Sequence, residues 1–85
     1  MTAQTHDDHS HQNRQKRNHL AGLWAAELLG LIGHAAQDYA HGIAHKHGDD
    51  ESLSKALAHD LHGRVSLSDI KAKLTHLWDA ARHHR

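Results

Sequence analysis

Five large apolar side chains, Leu20, Leu23, Trp24, Leu28 and Leu31, recur at i, i+3, i+4, i+8 and i+11, and they constrain this chain more than any other feature. The spacing gathers them on one face of a helix, and no strand period reproduces it. Ala21 and Ala25 flank the stripe and allow a neighbouring element to come close. Gly30 and Gly33 bracket its end. A helix with one apolar face must bury that face against another element, so the rest of the chain has to supply partners.

It supplies three. Ala36, Tyr39, Ala40 and Ile43 predict a second helix closing at Gly48, with Gly42 inside it costing about 1 kcal/mol relative to alanine. Asp49, Asp50 and Glu51 then place negative charge where a helix N-terminus favours it. Leu53, Ala56, Leu57 and Leu61 form the stripe of a third helix, which Gly63 stops. Ser66 and Asp69 make an S-x-x-D capping pattern, with Val65 and Ile70 at the positions of a hydrophobic staple. Ile70, Leu74, Leu77, Trp78 and Ala81 continue a fourth helix in register, and Arg82, His83, His84 and Arg85 put positive charge at its C-terminal end. The expected fold is all-α, a small four-helix bundle over residues 14–85. The absence of proline, phenylalanine and cysteine agrees, since it disfavours a turn-dense sheet and excludes disulfides and thiolate metal sites. A chain of 85 residues has room for one domain.

Residues 1–13, MTAQTHDDHSHQN, carry no large apolar side chain beyond Met1, and such a segment is expected to be a disordered, histidine-rich tail. Residues 2–19 lack the apolar core of a signal peptide. The longest apolar stretch, Leu20–Gly33, is interrupted by Glu27 and falls short of the roughly 20 residues that span a bilayer. The expected location is cytoplasmic. Ten basic residues balance ten acidic ones, so the electrostatic footprint of a nucleic-acid binder is missing. Thirteen histidines add a sensitivity to mild acid, the net charge rising towards roughly +12 one pH unit below the model value of ~6.5. Protonation of His34, His41, His45, His59, His62 and His76 would load the bundle with like charge.

No enzymatic constellation emerges. There is no cysteine nucleophile, no serine in a motif and no glycine-rich phosphate loop. His59 and Asp60 are adjacent in sequence and are expected on different faces of their helix. The histidines offer a different chemistry. His6, His9 and His11 cluster with Asp7 and Asp8; His41 and His45 lie four apart, with His47 close by; His59 and His62 lie three apart. Helical i, i+4 histidines can share zinc, nickel or copper. A closed site takes three or four ligands, however, and no H-E-x-x-H or Cys/His framework is present. His41 and His45 are therefore metal-ligand candidates beside the plainer reading of a solvated surface, and no cofactor is expected. Arg14, Lys16, Arg17 and Asn18 are candidate partner contacts, set against an ordinary solvated helix face. Trp24 and Trp78 suit interface anchors, but their registers place them in the core.

The stretch Lys16-Arg-Asn-His-Leu-Ala-Gly-Leu-Trp-Ala-Ala-Glu-Leu-Leu-Gly-Leu31 resembles the signature of the zeta-type inhibitor subunit of alphaproteobacterial F-type ATP synthase. The resemblance rests on Arg17, Asn18 and Leu20, on the run Gly22, Leu23, Trp24, Ala25, Ala26, Glu27, and on Gly30. Tyr39-Ala40, the loop Gly48–Glu51 and Ser68–Leu74 extend it more weakly, so that it spans about Arg14 to Ala81. It implies a four-helix bundle and a non-enzymatic regulator whose partner is the catalytic sector of the synthase. A location peripheral to the inner membrane follows from that partner. It also implies inhibition of ATP hydrolysis by an N-terminal segment that becomes helical on insertion at a catalytic interface. Family members open with a phenylalanine-bearing amphipathic segment of that kind; this chain has no phenylalanine and a shorter, polar opening, a degenerate version of the inhibitory segment. Two other readings of the same residues are a histidine-rich metal-binding bundle and a self-associating module that shares its apolar stripe between copies.

Overall fold

A computed structural model describes the backbone of residues 2–47 and 49–82, and the side chains of residues 12–47 and 49–81. Four helices follow one another: α1 (Thr2–Leu28), α2 (Gly33–Lys46), α3 (Asp50–Asp60) and α4 (Leu67–Arg82). There is no strand among the described residues, and the all-α, four-helix expectation is borne out. At 27 residues α1 is about 40 Å long, close to the 46 Å longest dimension of the molecule. It is the spine. α2 folds back along it, α4 lies beside it, and α3 packs on α4. The backbone of α1 is continuous through residues 2–13, the segment expected to be a disordered tail. Met1, Gly48 and residues 83–85 lie outside the described residues, as do the side chains of the histidines in the opening segment.

Local chemistry explains where the helices stop. Gly30, with φ at +80°, follows the last turn of α1. Its N–H donates to the Glu27 carbonyl at 3.1 Å and that of Leu31 to the Ala26 carbonyl at 2.9 Å. These two bonds define a Schellman motif, which satisfies carbonyls that the helix leaves without partners. Leu31 thus belongs to the cap and not to the helical stripe. Asp49 caps α3 by accepting from the Ser52 N–H at 3.3 Å. At α4 the Ser66 hydroxyl accepts from the Asp69 N–H at 3.1 Å, and the Asp69 carboxylate accepts from the Ser66 N–H at 3.5 Å. This is the expected capping box, with Ile70 fully buried and Val65 packed against the core beside it.

The core differs from the expected one most on α1. Leu53, Leu57 and Leu61 of α3 and Ile70 and Leu74 of α4 are buried as their spacing predicts, each contributing about 1.5–3 kcal/mol of apolar transfer. On α1, however, the deepest face is not the leucine stripe. Arg17, Asn18, Ala21, Gly22, Ala25 and Ala26 are buried, while Leu20, Leu23 and Trp24 are half-buried and Leu28 is 36 % exposed. Part of the reason is steric: at Gly22, α2 lies so close to α1 that no side chain fits between them. The leucines are left to border that contact.

Candidate functional site

The glycine of the signature run sets the spacing of the first two helices. A Cβ added to Gly22 would stand 2.6 Å from the Ala40 Cα, nearer than real Cβ contacts come. Gly22 and Ala40 thus touch backbone to backbone, and Ala21, Ala25 and Ala26 on the same helix as Gly22 are fully buried. One residue from each of two segments that carry the resemblance, Gly22 and Ala40, makes this contact. Glu27 alone in the run is exposed.

The Arg17–Asn18 pair ahead of the run is also structural. Arg17 is 3 % exposed and Asn18 2 %. Arg17 Nε donates to Asn18 Oδ1 at 2.8 Å, and its terminal nitrogen pairs with the Asp50 carboxylate at the start of α3. Asn18 Nδ2 donates to the His47 carbonyl at 3.1 Å, and His47 Nδ1 meets Ser52 Oγ at 2.8 Å. α1 therefore grips both ends of the loop between α2 and α3. A buried guanidinium is tolerated where hydrogen bonds and an opposite charge surround it. Of the four predicted partner contacts, Arg14 and Lys16 are exposed, whereas Arg17 and Asn18 belong to this clamp.

The outer edge of the clamp opens into a groove of about 640 Å³ between α1, α3 and α4. Arg14 and Arg17 form one wall, Ser54 and Lys55 another, and Leu67, Lys71, Leu74 and Trp78 the α4 side. Four cations face two carboxylates there, Asp50 and Glu51, so the lining carries excess positive charge. Arg17 lies over the Trp78 ring at 5.7 Å, and Lys73 lies over Trp24 at 5.8 Å. Trp24 packs against the core as expected. Trp78 instead lines the groove, half-buried, with Arg17 over its ring. Lys71 escaped sequence reasoning although a signal for it exists: Leu67, Lys71, Leu74 and Trp78 stand at i, i+4, i+7 and i+11 on one side of α4.

Tyr39 joins α2 to α3 by donating its hydroxyl to Asp60 Oδ2 at 2.7 Å. Burial first, then that hydrogen bond and the aspartate's charge, hold the phenol protonated well above its ordinary range. The other oxygen of Asp60 lies 3.3 Å from His59 Nδ1. These sequence neighbours do meet, contrary to expectation, because they end α3, where side chains turn along the rim. Neither touches a nucleophile, and the arrangement is a tether between helices. His34, His41, His45, His59, His62 and His76 are all exposed, and the His41 and His45 rings stand 4.2 Å apart. Among the described residues no three His, Asp or Glu side chains come together to hold a metal. Among the described residues no helix is long and apolar enough to cross a membrane.

No curated protein and no solved structure matches the chain. A family model does, over residues 4–84, and it is that of the ATPase inhibitor subunit zeta. The match takes in all four helices, the buried glycine seam and the arginine–asparagine clamp. The chain belongs to the ATPase inhibitor subunit zeta family, whose members are regulators and not enzymes.

Proposed function

We propose that this chain is a zeta-like regulatory subunit that docks on the catalytic sector of an F-type ATP synthase through its bundle and restrains ATP hydrolysis only weakly. The family match over residues 4–84 carries the docking half of the reading. The docking face is the basic groove: Arg14, Lys55 and Lys71 suit an acidic surface, and Leu67 and Trp78 supply apolar anchors between them. Tryptophan and arginine are the residues most often found where binding energy concentrates. The weak restraint follows from composition. The opening of α1 has no phenylalanine, and a polar helix offers an apolar cleft little to bury. On this reading the protein works at the cytoplasmic face of the inner membrane, held there by the synthase, and the polar segment 1–13 stays disordered until it is engaged.

The test is a binding and hydrolysis assay with the synthase of the same organism. Stoichiometric binding with little loss of hydrolysis is the expected result. Lys71→Glu is expected to weaken binding while leaving the fold intact, because Lys71 is exposed. Absence of both binding and inhibition would sink the reading. Full inhibition at one subunit per synthase would overturn its second half alone.

A further inference from the structure

The pole of α2 that faces away from the bundle has a chemistry of its own. α2 buries Ala40 and Ile43. Diametrically opposite, His34, Asp38, His41 and His45 stand at i, i+4, i+7 and i+11, and all four are exposed. Within that stripe there is no lysine or arginine, and Lys46 belongs to the flank that borders Tyr39 and Asp60. The His41 and His45 rings are already paired, centroid to centroid at 4.2 Å and inclined by 46°. Two imidazole nitrogens bound to one ion, each about 2.0–2.1 Å from it, stand about 3 Å apart. Small rotations about the side-chain bonds take the pair from its present geometry to that one. Asp38, one turn before His41, adds negative charge along the same line.

We propose that His41 and His45 form a two-point chelate for a divalent transition ion of the zinc, nickel or copper(II) class, which imidazole ligands suit. Water fills the remaining positions, since no third His, Asp or Glu among the described residues joins the pair. Such a site is open and exchangeable, unlike a structural zinc site closed by four protein ligands. It lies on α2, away from the groove between α1, α3 and α4, so it is independent of docking on the synthase.

The experiment is a zinc titration of the full chain followed through the ring nitrogens of its histidines by long-range proton–nitrogen spectra, with calorimetry counting equivalents. The His41 and His45 rings are expected to shift together, saturating with one ion. His41→Gln with His45→Gln should remove one equivalent from the total, and either substitution alone should weaken that step at least about tenfold, because the second ligand acts at high effective concentration. His76→Gln, on α4, should leave it unchanged. Rings that titrate independently, or a double variant that binds as many ions as the parent, would overturn the proposal. Both side chains are exposed, so the variants are expected to fold, and the ring spectra of the parent decide the question by themselves.

Discussion

The long helix α1 meets its two neighbours in opposite ways. Against α2 it presents Gly22, whose backbone touches that of Ala40. Against α4 it presents Trp24 and Arg17, whose contacts are a lysine over an indole and a guanidinium over another. The first seam is a close fit between small groups, and protein interiors packed to that density tolerate no added volume. The second is built from long side chains held by polar and cation–π contacts, and it leaves the groove open at its edge. One seam fixes the shape of the molecule; the other leaves a surface for something else to occupy.

The sharpest way to break that contrast is to fill the tight seam. Gly22→Leu is expected to cost about 3 kcal/mol, through overpacking against Ala40. In a domain of this size that lowers the Tm by more than about 10 °C, as calorimetry would register. Arg17→Ala should cost about 2 kcal/mol, from two lost charged hydrogen bonds and the uncovered Trp78. Its signature is local: amide exchange should quicken in α4 and in the loop before α3 while α2, seated on the glycine seam, keeps its protection. Equal loosening of α2 and α4 would erase the distinction between the seams. Gly42 is the counterexample within α2, since a Cβ there meets nothing within 4 Å. Gly42→Ala is therefore expected to stabilise the chain by about 0.5–1 kcal/mol, seen as a shifted denaturant midpoint. The smallest effect concerns Tyr39. Its hydroxyl is held protonated in the fold, while in the unfolded chain it ionises near ~10. Stability present below that pH is lost as pH rises through it. Urea midpoints at pH 9 and 11 should separate for the parent and stay closer together for Tyr39→Phe.

Much of this architecture is legible in the residues because it is local. The Ser66–Asp69 box, the Asp49 cap and the stop at Gly30 all act within one turn, and the stripes of α3 and α4 are simple periodicities. The deep face of α1 was harder to see. Hydrophobicity ranks Leu20 and Leu23 above Gly22 and Ala26, yet the centre of a seam between two close helices selects for size. Arg17 and Asn18 also read as exposed partner contacts, because a basic pair in a polar stretch usually is. Their real partners, Asp50 and His47, lie 33 and 29 residues away, beyond the reach of any helical spacing. The groove was half visible for the same reason: its α4 wall is periodic, but its α1 wall depends on how two distant segments meet.

That clamp has a consequence for the order in which the chain comes together. α1 and α2 are separated by a four-residue turn and can zip at little cost in loop entropy, whereas closing 33 residues between Arg17 and Asp50 costs more. We expect contacts of that range to close late, on the native side of the folding barrier. Removing them then leaves the rate of folding nearly untouched and raises the rate of unfolding. The arginine–asparagine pair would act as the latch that sets how long the bundle stays closed once folded.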